Sequence, residues 1–167
     1  MLIGGGGESD RLSIKLATRR GTFISNERRR ERPPEALRAA KEIWKEKYPN
    51  IQVRSLTAIY NCVGLVFGSR RTCIDTDQLE LILREDDYRR LPGEHDVEIG
   101  DLVLYRIGNR YEHIAVVVNK ERDLINASFE ITVISQWGAD GEYIHLIHDV
   151  PPALGIPQEF WTDRRLL

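Results

Sequence analysis

The apolar positions of this chain change their period once. Up to about residue 93 they recur at helical spacing. Leu37, Ala40, Trp44 and Tyr48 lie 3, 4 and 4 residues apart and share one helical face. Pro33-Pro34 followed by Glu35 reads as the start of that helix, and Pro49-Asn50 as its end. A second helix is predicted over about Tyr60–Phe67, closed by Gly68. A third is predicted from about Asp77, with Asp77 and Glu80 as a capping box and Leu79, Ile82 and Leu83 as its apolar face.

After Pro92-Gly93 the pattern becomes that of strands. Asp101–Arg106 follows the turn residue Gly100, and Gly108-Asn109 makes the next turn. His113–Val118 is β-branched and reads as a buried strand. Phe129–Trp137 alternates weakly, Gly138–Gly141 turns, and Tyr143–His148 supplies a further strand. Helices followed by an antiparallel meander is the α+β order. Ahead of this body, residues 1–34 read as a peripheral arm. Gly4–Gly7 holds no single conformation cheaply, and Leu12, Ile14 and Leu16 alternate as one edge strand would. The expected organisation is therefore a basic arm, 1–34, and one domain, 35–167.

Composition narrows the class. With 41% hydrophobic and 30% charged residues in 167, the chain is that of a folded globular protein. No apolar run is long enough to span a bilayer, so no membrane insertion is expected. The start lacks a basic segment followed by an apolar one, so no classical secretory signal is expected. Two cysteines make no disulfide scaffold, and a cytoplasmic location is the default. Charge is divided unevenly. The arm carries eight Lys/Arg against four Asp/Glu, the body sixteen against twenty-two. Arg28–Arg32 would suit phosphate or an acidic partner. No nucleic-acid motif accompanies it, so a solvated tail is the plainer reading and nucleic acid is not the expected partner.

The candidate chemistry centres on Cys62. It stands at the expected start of an apolar helix, where free N–H groups and the dipole favour a thiolate. His113 follows 51 residues later at the head of a strand, placed to take the thiol proton and return it to a leaving group. Cys73 reads as core and His95 as solvent-facing, while His145 and His148 lie three apart in a segment of uncertain type. No ligand spacing supports a metal, and no cofactor is implied.

Tyr60–Val66 resembles the nucleophile segment of NlpC/P60 cysteine peptidases, aromatic-Asp-Cys-Ser-Gly-Leu-Val. Gly100–Tyr105 and His113–Val118 resemble that family's Gly-Asp-Leu-Val strand and its histidine strand; the related CHAP amidases share the pattern. Ser135–Gly138, Gly141–His145 and Asp149–Pro152 resemble a bacterial and phage branch of that superfamily, with Gln136 where lysine is usual. The resemblance implies a papain-like α+β fold and a thiol hydrolase acting on peptide or amide bonds through an acyl-enzyme, with cell-wall peptides as the first substrate to test. It implies Cys62 as nucleophile, His113 as base, and Ser135 or Gln136, on opposite faces of one strand, as the group that orients the imidazole. Tyr60, Asn61, Val63, Trp137 and His145 would line the substrate cleft. Asn61 and Val63 replace the family's aspartate and serine, which removes the charge and the hydroxyl that hold a substrate amine. An inactive binding module on the same scaffold, or an acyltransferase or toxin effector, is the alternative.

Overall fold

The computed structural model describes residues 12–166. The expected Gly4–Gly7 flexibility lies outside the described residues. The fold is α+β: three short helices, mostly N-terminal, pack on one seven-stranded antiparallel sheet.

Helix α1 spans Pro34–Lys47, with proline at its first turn, Glu35 near the positive end of the dipole and Lys45 and Lys47 near the negative end. Leu37 and Ala40 are buried, and Trp44 and Tyr48 pack on the same core. Strand β1 (Gln52–Ser55) leads to α2 (Cys62–Phe67), which starts two residues later than its sequence pattern suggested. A 3-10 turn over Thr76–Gln78 precedes α3 (Leu79–Glu85). The cap is Asp75, whose side chain accepts from the Asp77 N–H. The expected Asp77–Glu80 capping box does not form.

Strands β2 (Arg89–Leu91), β3 (Leu102–Ile107), β4 (Arg110–Arg122), β5 (Phe129–Gln136), β6 (Glu142–Leu146) and β7 (Ile156–Thr162) complete the sheet, in the order β1-β6-β5-β4-β3-β7-β2. The central meander β3 to β6 agrees with the sequence reading. The short strands β1 and β2 and strand β7 were not foreseen.

The sheet is covered on both faces. On one face Trp44 of α1 and the following Tyr48 pack on a core that includes Val103, Ala115, Val117, Val133 and Trp137. On the other, α2 and α3 pack over Leu102, Leu104 and Ile114. Side chains alternate along a strand, so consecutive residues of β4 enter different cores. This alternation decides the fate of the candidate site.

Residues 12–33 are not peripheral. Ile24 (3% exposed) sits in the α2-side core together with Cys62, and Thr18 is buried with its hydroxyl donating to Glu85. Glu27 and Cys73 exchange backbone hydrogen bonds of 2.9 and 2.8 Å. The carboxylate of Glu31 accepts from Thr57 Oγ1 and from the Ala58 N–H. The expected strand over Leu12–Leu16 is absent; only an isolated bridge, Ala17 with Phe23, forms there. The basic run Arg28–Arg30 is exposed.

Candidate functional site

The tip of α2 is built by Asn61. Its Oδ1 accepts from the Gly64 N–H at 2.9 Å and the Ile74 N–H at 3.1 Å, and its Nδ2 donates to the Ile74 carbonyl at 2.7 Å. The amide thus caps the helix and ties it to the segment ending at Ile74. With this bonding, its role is structural.

Cys62 follows directly and is 7% exposed. Burial pushes its thiol up to about 11, although the backbone N–H groups of Ile114, Val63 and Cys62 itself pull the other way. The desolvation of an anion in an apolar core outweighs three amide dipoles. Val63, the next residue, is wholly buried.

His113 lies on the opposite face of the sheet. It pairs across the β3–β4 ladder with Tyr105, a member of the α1-side core, and the two rings meet edge-on at 5.2 Å. Its neighbour Ile114 belongs to the α2-side core with Cys62. Sulfur and imidazole therefore pack in different cores, and the expected Cys62–His113 pairing is not formed. His113 is 0% exposed and neither ring nitrogen has a hydrogen-bond partner. Burial, and then nearby His145, lowers it to about 3. The imidazole is neutral at every physiological pH.

Ser135 shares the face of His113 but serves a different histidine. His145 Nδ1 lies 2.8 Å from the Leu146 carbonyl, which can only accept, so that nitrogen carries the proton. His145 Nε2 then accepts from Ser135 Oγ at 2.8 Å, and Ser135 Oγ accepts from the Trp137 indole N–H at 3.2 Å. This chain of bonds is sealed: Ser135, Trp137 and His145 are at most 2% exposed. Burial holds His145 down to about 4. Trp137 packs edge-on against Trp44 at 5.5 Å and Tyr48 at 5.6 Å, so it anchors α1 and does not wall a cleft.

Gln136 points the other way, as strand alternation requires. Its Nε2 donates to the carbonyls of Thr57 at 2.7 Å and Gly138 at 3.2 Å, while its Oε1 is buried without a partner. Across the β5–β6 ladder stands Glu142, fully buried, whose carboxylate accepts from the Tyr60 hydroxyl and from Arg70 Nε and Nη2 at 2.9 and 3.0 Å. Burial, then this carboxylate, raises Tyr60 above the usual phenol range. The loop that delivers Arg70 holds Ser69 and Arg70 both at positive φ, +52° and +59°. Such backbone is unfavourable for residues with a Cβ, and the Arg70–Glu142 pair helps to hold it. Sequence reading missed this trio. The available signal was a lone carboxylate, Glu142, at a core-facing strand position beside a turn.

Asp101 of the Gly-Asp segment is likewise structural. It accepts from the Glu98 N–H at 2.8 Å and binds Arg164 Nη2 at 2.7 Å. An open cleft of about 670 Å³ does lie beside the α2 tip, between residues 12–29 and the 61–75 segment. It is lined by Asn61, Cys73 and Asp75, not by Cys62 or His113. Cys73, read as core, is 7% exposed yet contributes to this lining, with its thiol 3.8 Å from the Ile59 carbonyl. Among the described residues no cluster of three metal-ligating side chains occurs, and no helix is long and apolar enough to cross a membrane.

No protein-family model matches this chain, and the searches of curated proteins and of solved structures return no match.

Proposed function

We propose that this chain is a binding module on an NlpC/P60-like, papain-type scaffold, with the residues of the expected thiol dyad used as core. The observation that carries the reading is the division of Cys62 and His113 between two sheet faces, each sealed from solvent. A thiol hydrolase needs sulfur and base within hydrogen-bond reach of each other and of a substrate. Here a thiol raised to about 11 and a separate imidazole lowered to about 3 both stay neutral near pH 7. The open cleft beside the α2 tip shares only Asn61 with the residues expected to line a substrate cleft, and it is the surface near Cys62 that could receive a peptide.

The second reading is the thiol hydrolase itself. The backbone N–H groups of Ile114, Val63 and Cys62, which pull the thiol's pKa down against its burial, favour it, since such donors also suit an oxyanion. That reading requires a base other than His113 in its present place.

Alkylation rates separate the two. With iodoacetamide on the full chain, Cys62 is expected to react more slowly than Cys73, with no rate step below the ordinary thiol value of about 8.5. Rapid, selective modification of Cys62 with an apparent pKa well below that value would replace the binding module with the hydrolase.

A further inference from the structure

A second groove, away from the α2 tip, runs along α3 toward the start of β4. One part, about 610 Å³, is walled by Tyr88, Tyr111 and Trp161 over Leu83, with Glu80, Arg84 and Asp87 at its edge. Its continuation, about 500 Å³, shares Tyr111 and Glu80 and extends past Asp77 and Asp75.

The aromatic wall is fixed in advance. Tyr111 Oη and Trp161 Nε1 both donate to one oxygen of Glu159, at 2.8 and 3.0 Å. Glu159 is 4% exposed and is itself held by Arg106 at 2.8 Å. The polar tips of both rings are thus turned inward, and their apolar bodies face the groove. Tyr88 is braced by Phe67, edge-on at 5.8 Å. Rings with fixed orientation lose little entropy on binding.

The rim is acidic. Asp75, Asp77 and Glu80 follow one another along the groove, are exposed, and have no ion-pair partner among the described residues. At the far end Asp87 and Asp163 already receive arginines of this chain's own residues 12–33, Arg20 at 3.6 Å and Arg19 at 3.7 Å. Tyr111 also carries the Arg106 guanidinium 4.8 Å from its ring centre. Both modes of holding a cation, carboxylate pairing and ring stacking, therefore operate here on the chain's own arginines.

We infer that this groove binds an extended basic peptide segment, with Lys or Arg side chains seated over the Tyr88–Tyr111–Trp161 wall and paired with Glu80 and Asp77. A neutral sugar would use the rings but leave the carboxylates unpaired; an anionic ligand would be repelled by them. The inference rests on the groove alone and goes beyond the proposed function. It stands whichever way the Cys62 thiol behaves.

The test uses the full chain and an acetylated, amidated octapeptide with alternating Arg and Gly, read by anisotropy of a label and by the Trp161 indole N–H resonance. At low salt the wild type is expected to bind the Arg peptide with movement of the Trp161 resonance, and not to bind its Glu counterpart. The double variant Asp77→Lys/Glu80→Lys, at two exposed positions, is expected to lose about tenfold or more in affinity. The double variant Glu46→Lys/Glu130→Lys, with equal net charge but outside the groove, is expected to lose about twofold at most. Tyr88→Leu at unchanged charge is expected to weaken binding about threefold to tenfold. Equal losses in the two double variants would show diffuse attraction only and overturn the inference. So would a Trp161 resonance that stays still, no binding at about 1 mM peptide, or a neutral oligosaccharide that binds the wild type and both double variants alike.

Discussion

Acidification from pH 7.5 to pH 5 is expected to cost this fold about 4 kcal/mol, before the carboxylates begin to titrate. The cause is the pair of buried imidazoles. His113 and His145 are lowered to about 3 and about 4, while in the unfolded chain both titrate near the ordinary 6.5. Between those values the unfolded state binds protons that the folded state refuses. Stability is therefore fully present above pH 6.5 and falls as pH drops through the window. Each histidine contributes about 1.4 kcal/mol per pH unit there. No acidic group offsets the loss: His113 meets Tyr105 and His145, and His145 meets Ser135, Trp137 and a carbonyl. Against a typical domain stability of about 5–15 kcal/mol, the loss is large. Urea midpoints measured from pH 7.5 to pH 4.5 should fall steeply in wild type and about half as steeply in His113→Leu. A midpoint that stays level through that window would remove both imidazoles from the buried core.

Gly64→Ala is expected to be the most damaging single methyl in the chain. A Cβ at Gly64 would stand 1.7 Å from the Thr72 carbonyl oxygen and 3.2 Å from Asn61 Oδ1. Alanine is the better helix former by about 1 kcal/mol, so propensity alone favours the change. Contact decides the sign. Thr72 is fully buried, its hydroxyl donates to Asn26 at 2.8 Å, and the next residue is bridged to Glu27, so the obstructing carbonyl has nowhere to retreat. The expected loss is at least about 3 kcal/mol, seen as a fall in the thermal midpoint. The matching change at Gly93, where a Cβ would meet nothing within 4 Å, is expected to be mild. A Gly64→Ala midpoint close to wild type would mean that α2 does not pack on the 72–74 segment as described.

How much of this was legible in the sequence differs by element. Helix α1 was, because its four core residues keep helical spacing and prolines mark both ends. The meander was, because turn residues separate its β-branched runs. The edge strands β1 and β2 were not: four and three residues with exposed or mixed side chains leave no alternation to read. Strand β7 begins Ile-Pro-Gln-Glu, which reads as loop, and Pro157 sits beside a register shift against β3. The burial of Ile24 was hidden by its basic and glycine-bearing surroundings.

The site was the least legible part, for a specific reason. Alternation reveals which residues face inward only when one face of a sheet is wet. Residues Ile114, Ala115 and Val117 are all buried, because helices cover both faces. The sequence gives no sign of which core His113 enters, so a dyad with Cys62 and its absence look the same. The same ambiguity covers Ser135 and Gln136. Their opposition was readable from strand period, but not that Ser135 would serve His145.

The position of the His113 ring tests the central claim most directly. In protein carrying isotope-labelled histidine, the account predicts ring contacts from His113 to Tyr105 and none to the Cys62 β-protons. It also predicts that His113 stays neutral down to about pH 4 and keeps its resonances when Cys62 is replaced by alanine. A cross-relaxation peak between the His113 ring and Cys62, or a His113 that titrates near neutrality and shifts in Cys62→Ala, would contradict it.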